Sequence, residues 1–162
     1  MADTDVFTGR LDPDMCVVTA AADGERDGCL VGFSSQCSIS PLRYAVWLSR
    51  VNRTFRVACR ADVLAVHLLT RDQRDLAELF GGRTGDEEDK LARTDWVRGY
   101  GGAVVLRDAA AWFVGRVVRR TDGGDHVGFV LEPVEVGGER RDGTPLLRLS
   151  DAVTIRPGHP AH

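Results

Sequence analysis

Short apolar runs separated by glycine-bearing turns constrain this chain more than any other feature. Met15-Cys-Val-Val-Thr-Ala20 is apolar and β-branched, and Cys29-Leu-Val-Gly-Phe33 follows across two turn dipeptides, Asp23-Gly24 and Asp27-Gly28. This pattern predicts a β-hairpin. Tyr44-Ala-Val-Trp-Leu48 and Val63-Leu-Ala-Val-His-Leu-Leu69 read as two further strands, and Gly102-Ala-Val-Val-Leu106 as a weaker one. Residues 111–118 and 126–131 flank Thr121-Asp-Gly-Gly-Asp125 and form the clearest hairpin of the chain. Both of its arms are dense in the Val and aromatic side chains that suit a pleated, half-buried surface.

Helical signals are fewer. Asn52 can cap a short helix over residues 54–60. Residues 73–80 place Leu76, Leu79 and Phe80 on one helical face, and Gly81-Gly82 supplies a stop. Thr84-Gly-Asp-Glu87 reads as a capping box, with Asp86 four residues before Lys90. The acidic run 86–89 is therefore expected to be the first turn of a solvated helix rather than a metal site. Seven or so strands with short helices between them argue for a β-rich barrel or sandwich. A doubly wound parallel sheet would need strands alternating with long helices.

Composition narrows the function. The 162 residues suit one domain, with a C-terminal tail over 156–162 expected to fray. The formal charge of −3 gives no basic excess, which weighs against a nucleic-acid partner. No apolar run is long enough for a membrane-spanning helix, and the polar start MADTDVFTGRLDPD lacks the apolar stretch of a secretory signal. Cys16, Cys29, Cys37 and Cys59 form no CxxC pair and are expected to be reduced, mostly buried thiols of a cytoplasmic protein. Phosphate-loop, GxSxG and HExxH motifs are absent, and His67, His126, His159 and His162 show no metal-ligand spacing.

Three segments remain as candidate sites. Ser34-Ser-Gln-Cys-Ser-Ile-Ser40-Pro41 carries four hydroxyls and a thiol. It suits a polar planar heterocycle or a phosphate, or else it is a strand end with local side-chain to backbone bonds. Ser49-Arg-Val-Asn-Arg-Thr54 places Arg50 and Arg53 where a strand gives way to a helix. That arrangement suits an anion, or is a plain helix cap with solvated arginines. His126, in Gly124-Asp125-His126, is either a turn residue or a group titrating near neutrality beside a substrate.

In this order and at these separations the segments resemble the flavin reductase-like domain, the FMN-binding split-barrel family. The resemblance rests on Val17-Val-Thr-Ala20, Asp23-Gly24, Gly32-Phe-Ser-Ser35 with Ser38-Ile-Ser-Pro41, Asn52-Arg-Thr54, Val63-Leu-Ala65, the Gln73 to Phe80 stretch and Gly124-Asp-His126. It covers roughly residues 5 to 136. One departure is that Leu42-Arg43 follows Pro41, where the family commonly has a second proline.

The resemblance implies a six-stranded antiparallel Greek-key split barrel with short peripheral helices, acting as a homodimer. It implies FMN (or FAD) as the flavin, lined by Ser34, Ser35, Gln36, Cys37 and Ser38. Asn52, Arg53 and Thr54, with Arg50 nearby, would bind the phosphate, Phe80 would lie near the ring, and His126 would face the nicotinamide. The implied activity is NAD(P)H-dependent flavin reduction, with reduced flavin retained or passed to a monooxygenase. Hydride passes between cofactor atoms in such chemistry, so no triad or metal cluster is required of the protein. Two other readings stay open from the sequence: an FMN-binding electron carrier without turnover, and a barrel that has lost flavin and serves as an interaction partner.

Overall fold

A computed structural model describes residues 2–82, 89–139, 142–153 and 155. A short helix, α1 (Asp5–Thr8), precedes β1 (Cys16–Ala22) and β2 (Glu25–Val31). The predicted hairpin turn is Asp23-Gly24, where both residues have positive φ (53° and 78°), as a tight two-residue hairpin loop requires. Asp27-Gly28 is not a turn: Asp27 is buried within β2 and pairs with Ala20 of β1.

β3 (Ser34–Ile39) and β4 (Leu42–Ser49) come next, joined through a cis Ser40-Pro41 peptide bond. The serine-rich segment is thus a strand, bulged between Gln36 and Ser38, rather than a loop. It is polar on both faces because it lies at the edge of the sheet, and sequence periodicity gave no sign of it. α2 (Arg53–Ala58), β5 (Val63–Leu68) and α3 (Arg74–Gly82) match the expected elements, though α3 runs through both glycines that were expected to stop it.

The described chain resumes with a 3-10 turn over Lys90–Arg93. β6 (Trp96–Arg98), β7 (Val104–Leu106), β8 (Ala111–Asp122), β9 (His126–Gly138) and α4 (Leu149–Ala152) complete it. The proposed capping box at 84–87, and with it Asp86, lies outside the described residues, as does the tail 156–162. Lys90 was read as the solvated partner of Asp86. It is instead 1% exposed, with its ammonium 3.8 Å from the buried Asp27 carboxylate.

The fold is mainly β with short helices. Seven strands form one antiparallel sheet in the order β2-β1-β5-β8-β9-β4-β3, and β6-β7 form a separate pair. The main sheet has one strand more than the expected six, because β3 adds itself to β4. The sheet curls. Val18 of β1 and Val31 of β2 share one core with Val46 and Leu48 of β4, although these strands lie near opposite ends of the hydrogen-bonding order. Val57 and Ala58 of α2 close that core.

A second core forms on the other face of β1, where Val17 meets Phe80 and Ala77 of α3 with Leu106 of β7. β1 is therefore buried on both faces, which explains its unbroken apolar run. His67 of β5 is fully buried at this layer boundary. Its Nδ1 lies 2.9 Å from the Val17 carbonyl, and its Nε2 accepts the Leu106 N–H at 3.1 Å. The C-terminal stretch, poorly matched by the resemblance, is held by Leu147, which is buried and exchanges backbone bonds with Met15 and Leu69. No helix among the described residues is long and apolar enough to cross a membrane.

Candidate functional site

The site grows from the alternation of β4. Tyr44, Val46 and Leu48 point into the core, so Ala45, Trp47 and Ser49 face the other way. The register sets Ser49 opposite His126 and Trp47 opposite Gly128 of β9. The indole of Trp47 rests on Gly123 and Gly128, where a Cβ would stand 2.6 and 2.9 Å from the ring. These two positions exclude side chains, and the indole fills the space.

Phe33, 59% exposed, leaves the end of β2 and meets the His126 ring with centroids 4.9 Å apart. Together these groups border a cleft of about 220 Å³ whose wall includes Gly32, Phe33, Trp47, Ser49, Asn52 and His126. The Ser49 hydroxyl is buried there and, among the described residues, has no hydrogen-bond partner. An unsatisfied buried polar group costs roughly 1–3 kcal/mol, so a ligand able to bond it would be favoured.

His126 is oriented from two sides. Its Nδ1 lies 2.7 Å from the Asp125 carboxylate, and the Phe33 ring flanks it. Asn52 serves twice. Its side-chain oxygen caps α2 by accepting the Thr54 N–H at 3.3 Å, and the residue also lines the cleft.

The other expected residues are placed differently. Arg53 donates to the Arg26 carbonyl at 3.2 Å and to Glu25 at 3.1 Å. Hydrogen bonds from Arg60 and then Arg53 hold the Glu25 carboxyl below its usual range. Thr54 is fully buried, and its hydroxyl donates to Asp27 at 3.0 Å. Arg50 turns to the β8–β9 hairpin, where its guanidinium meets Gly124 and Asp122. Of the expected anion-binding group, Asn52 alone lines the cleft.

The serine strand divides. Ser34 faces inward, 2.9 Å from the Tyr44 hydroxyl and close to Cys16. Ser38 donates to the Pro41 carbonyl, and the Gln36 amide donates to the Ser38 carbonyl. These are the local bonds of the plainer reading. Ser35 and Cys37 are exposed on the sheet edge. Phe80, expected near a ring, is 1% exposed and packed on Gly28, leaving no face for a ligand.

Cys16 and Cys29 are buried free thiols, pushed up by burial to about 12 and about 11, which makes them unreactive. Cys37 and Cys59, also free, are exposed rather than buried as expected. Among the described residues no cluster of His, Cys, Asp and Glu could hold a metal ion.

A larger cleft of about 740 Å³ opens on the core side of the sheet, walled by Leu42, Tyr44, Leu68, Trp112, Phe113 and Val136. Size alone would favour it as the ligand site. Its wall is mostly apolar, however, with Tyr44 and Glu132 as further polar groups, and Gln36 is the one expected site residue it contains. The smaller cleft holds the hydroxyl, amide and imidazole, so the chemistry points there. Sequence reasoning passed over Phe33 and Trp47 as site residues, and included Ser49 only as the first residue of the candidate segment 49–54. The two-residue period back from Ser49 was the signal for Trp47.

The flavin reductase like domain model matches residues 8–154. NADH-dependent FMN reductase AsuE2 of Streptomyces nodosus subsp. asukaensis is 32% identical over 152 residues, covering 90% of this chain and 80% of the relative. The reductase component of FADH(2)-dependent resorcinol hydroxylase from Rhizobium sp. (strain MTP-10005) is 33% identical over 130 residues, covering 77% and 70% of the two chains. Two other curated relatives are longer, and the chain spans 38% and 64% of their lengths. The solved structure of Streptomyces globisporus C-1027 NADH:FAD oxidoreductase SgcE6 superposes with a TM-score of 0.78 at 22% identity, covering 91% of this chain and 90% of that one. At that identity the likeness speaks for the fold alone. With its family model matched over nearly the whole length, the chain belongs to the flavin reductase-like domain family.

Proposed function

We propose that the chain is an NADH-dependent flavin reductase, carrying out NADH + H⁺ + FMN → NAD⁺ + FMNH₂ and supplying reduced flavin to an oxygenase. The observation that carries this reading is the cleft between the end of β2 and the paired ends of β4 and β9. There an unpaired hydroxyl (Ser49), an amide (Asn52) and an imidazole (His126) converge beside the aromatic faces of Phe33 and Trp47. This donor set fits a planar, polar heterocycle. The named relatives favour NADH as donor and an oxygenase as recipient.

When bound, the flavin supplies the hydride acceptor at N5 and the nicotinamide the donor at C4. The protein binds, orients and shields them. Ser49 and Asn52 offer hydrogen-bonding groups to the flavin. Phe33 and His126 form a tilted aromatic pair that suits the nicotinamide side.

The reading includes a cytoplasmic homodimer on a split-barrel scaffold. Ile39, Leu42 and Val136 are exposed apolar residues, and the last two border the larger cleft. A second copy would cover that face; sedimentation should then give a dimeric mass, and a monomeric mass would overturn this part of the reading. The enzymatic claim is tested by NADH consumption with and without added FMN. Consumption that depends on FMN is expected; none with either NADH or NADPH would overturn the reading.

A further inference from the structure

We propose that Arg50 is a positioning residue for His126, acting by locking the β8–β9 turn rather than by binding an anion. The proposal rests on the flavin reductase reading for what His126 does, and on geometry alone for how His126 is held.

Arg50 follows Ser49, the residue paired with His126, and lies just past the end of β4. Three of its donors reach the turn. Its backbone N–H bonds the Asp125 carbonyl at 3.0 Å, its Nε–H the Gly124 carbonyl at 2.9 Å, and its Nη2 the Asp122 carboxylate at 2.8 Å. The same Asp122 oxygen accepts the Gly124 N–H at 3.0 Å.

Both backbone polar groups of Gly124 are thereby fixed. Gly124 has φ +121°, a conformation that glycine alone adopts readily, while Gly123 is already tied by its N–H to the His126 carbonyl at 2.9 Å. His126 is two residues beyond. Its ring is aimed into the cleft by Asp125, which directly follows the Gly124 whose carbonyl the Arg50 side chain holds; the backbone bond from Arg50 to the Asp125 carbonyl is common to every variant at position 50. Loosening the turn therefore moves the imidazole.

The contact requires a planar fork with two donors at fixed separation. Lysine offers a point charge on a flexible stem and cannot reproduce it. The Arg50–Asp122 pair is largely exposed, so its loss leaves global stability nearly unchanged.

The test compares the wild-type chain with Arg50→Lys, Arg50→Ala and Asp122→Ala. FMN affinity is read by fluorescence quenching, and KM and kcat for NADH at saturating FMN. The three variants are expected to raise the NADH KM about tenfold, the equivalent of one net hydrogen bond. FMN affinity should stay within about twofold of wild type, since an exposed pair carries little energy. A second arm needs no turnover. Imidazole proton NMR without flavin or nicotinamide should show the His126 resonance displaced in all three variants, and the buried His67 resonance unmoved.

Weakened FMN binding in Arg50→Ala that Arg50→Lys restores would make Arg50 an anion ligand and overturn the proposal. So would an unmoved His126 resonance. If wild type fails to oxidise NADH, the functional reading falls, and the NMR arm still decides whether Arg50 positions His126.

Discussion

Two histidines in this chain have opposite fates. His67 is sealed between β1, β5 and β7, and burial lowers its pKa from 6.5 to about 4. The unfolded chain binds a proton on this group below pH 6.5, and the folded chain does so only near pH 4. Stability attributable to a neutral His67 is therefore complete above about pH 6.5 and is lost progressively as pH falls toward 4. The total is on the order of 3 kcal/mol. Urea unfolding of wild type and His67→Gln between pH 7 and pH 4.5 checks this: the wild-type slope should be steeper by the uptake of one proton, and parallel slopes would contradict it. Glu25 and Asp122, both held low by hydrogen bonds, contribute stability that is lost in the same acid direction but at lower pH. His126 sits at the cleft. His126→Ala should impair NADH use by about tenfold in kcat/KM, the loss of one positioning contact, while FMN affinity changes little. The reverse pattern would misplace it. At this scale the sequence revealed which residue types gather but not which partners claim them. Arg50 and Arg53 looked like anion ligands because charge is visible in a sequence. Their partners, Asp122 and Glu25, are brought in by hairpins and are not visible.

Among the elements, those with strong periodicity or turn chemistry were legible: β1, β4, β5, α2 and the β8–β9 hairpin. β3 was not, because an edge strand with polar residues on both faces lacks the alternation that marks a half-buried one. Lys90 was misread for a related reason. A lysine four residues after an acid suggests a solvated helix, yet the 3-10 turn delivers its ammonium to Asp27 and to within 5.9 Å of the Phe80 ring centroid. This buried pair joins the 3-10 turn to β2, and through the Thr54 hydroxyl to α2. Removing one partner of such a pair is costly, so Lys90→Met should destabilise the fold by roughly 3–5 kcal/mol in urea unfolding. Asp27→Asn combined with Lys90→Met should recover part of that loss, since the buried carboxylate charge is gone while Arg53, 4.0 Å from Asp27, keeps Glu25 as its partner. A single variant within about 1 kcal/mol of wild type, as is usual for exposed pairs, would contradict the account.

For the molecule as a whole, the curled sheet brings Val18 and Val31 to Val46 and Leu48, so that one core serves both ends of the strand order. The smaller cleft opens between the end of β2 and the ends of β4 and β9, and the larger one opens beside Tyr44, Leu68 and Phe113. The central claim is that this chain moves reducing equivalents from nicotinamide to flavin. The most direct measurement is an anaerobic visible spectrum of the protein with FMN, recorded before and after one equivalent of NADH. The account predicts that the oxidised-flavin absorption bleaches within the mixing time of a manual experiment. Flavin that is bound, as judged by quenched fluorescence, but stays oxidised under NADH and NADPH alike would contradict it.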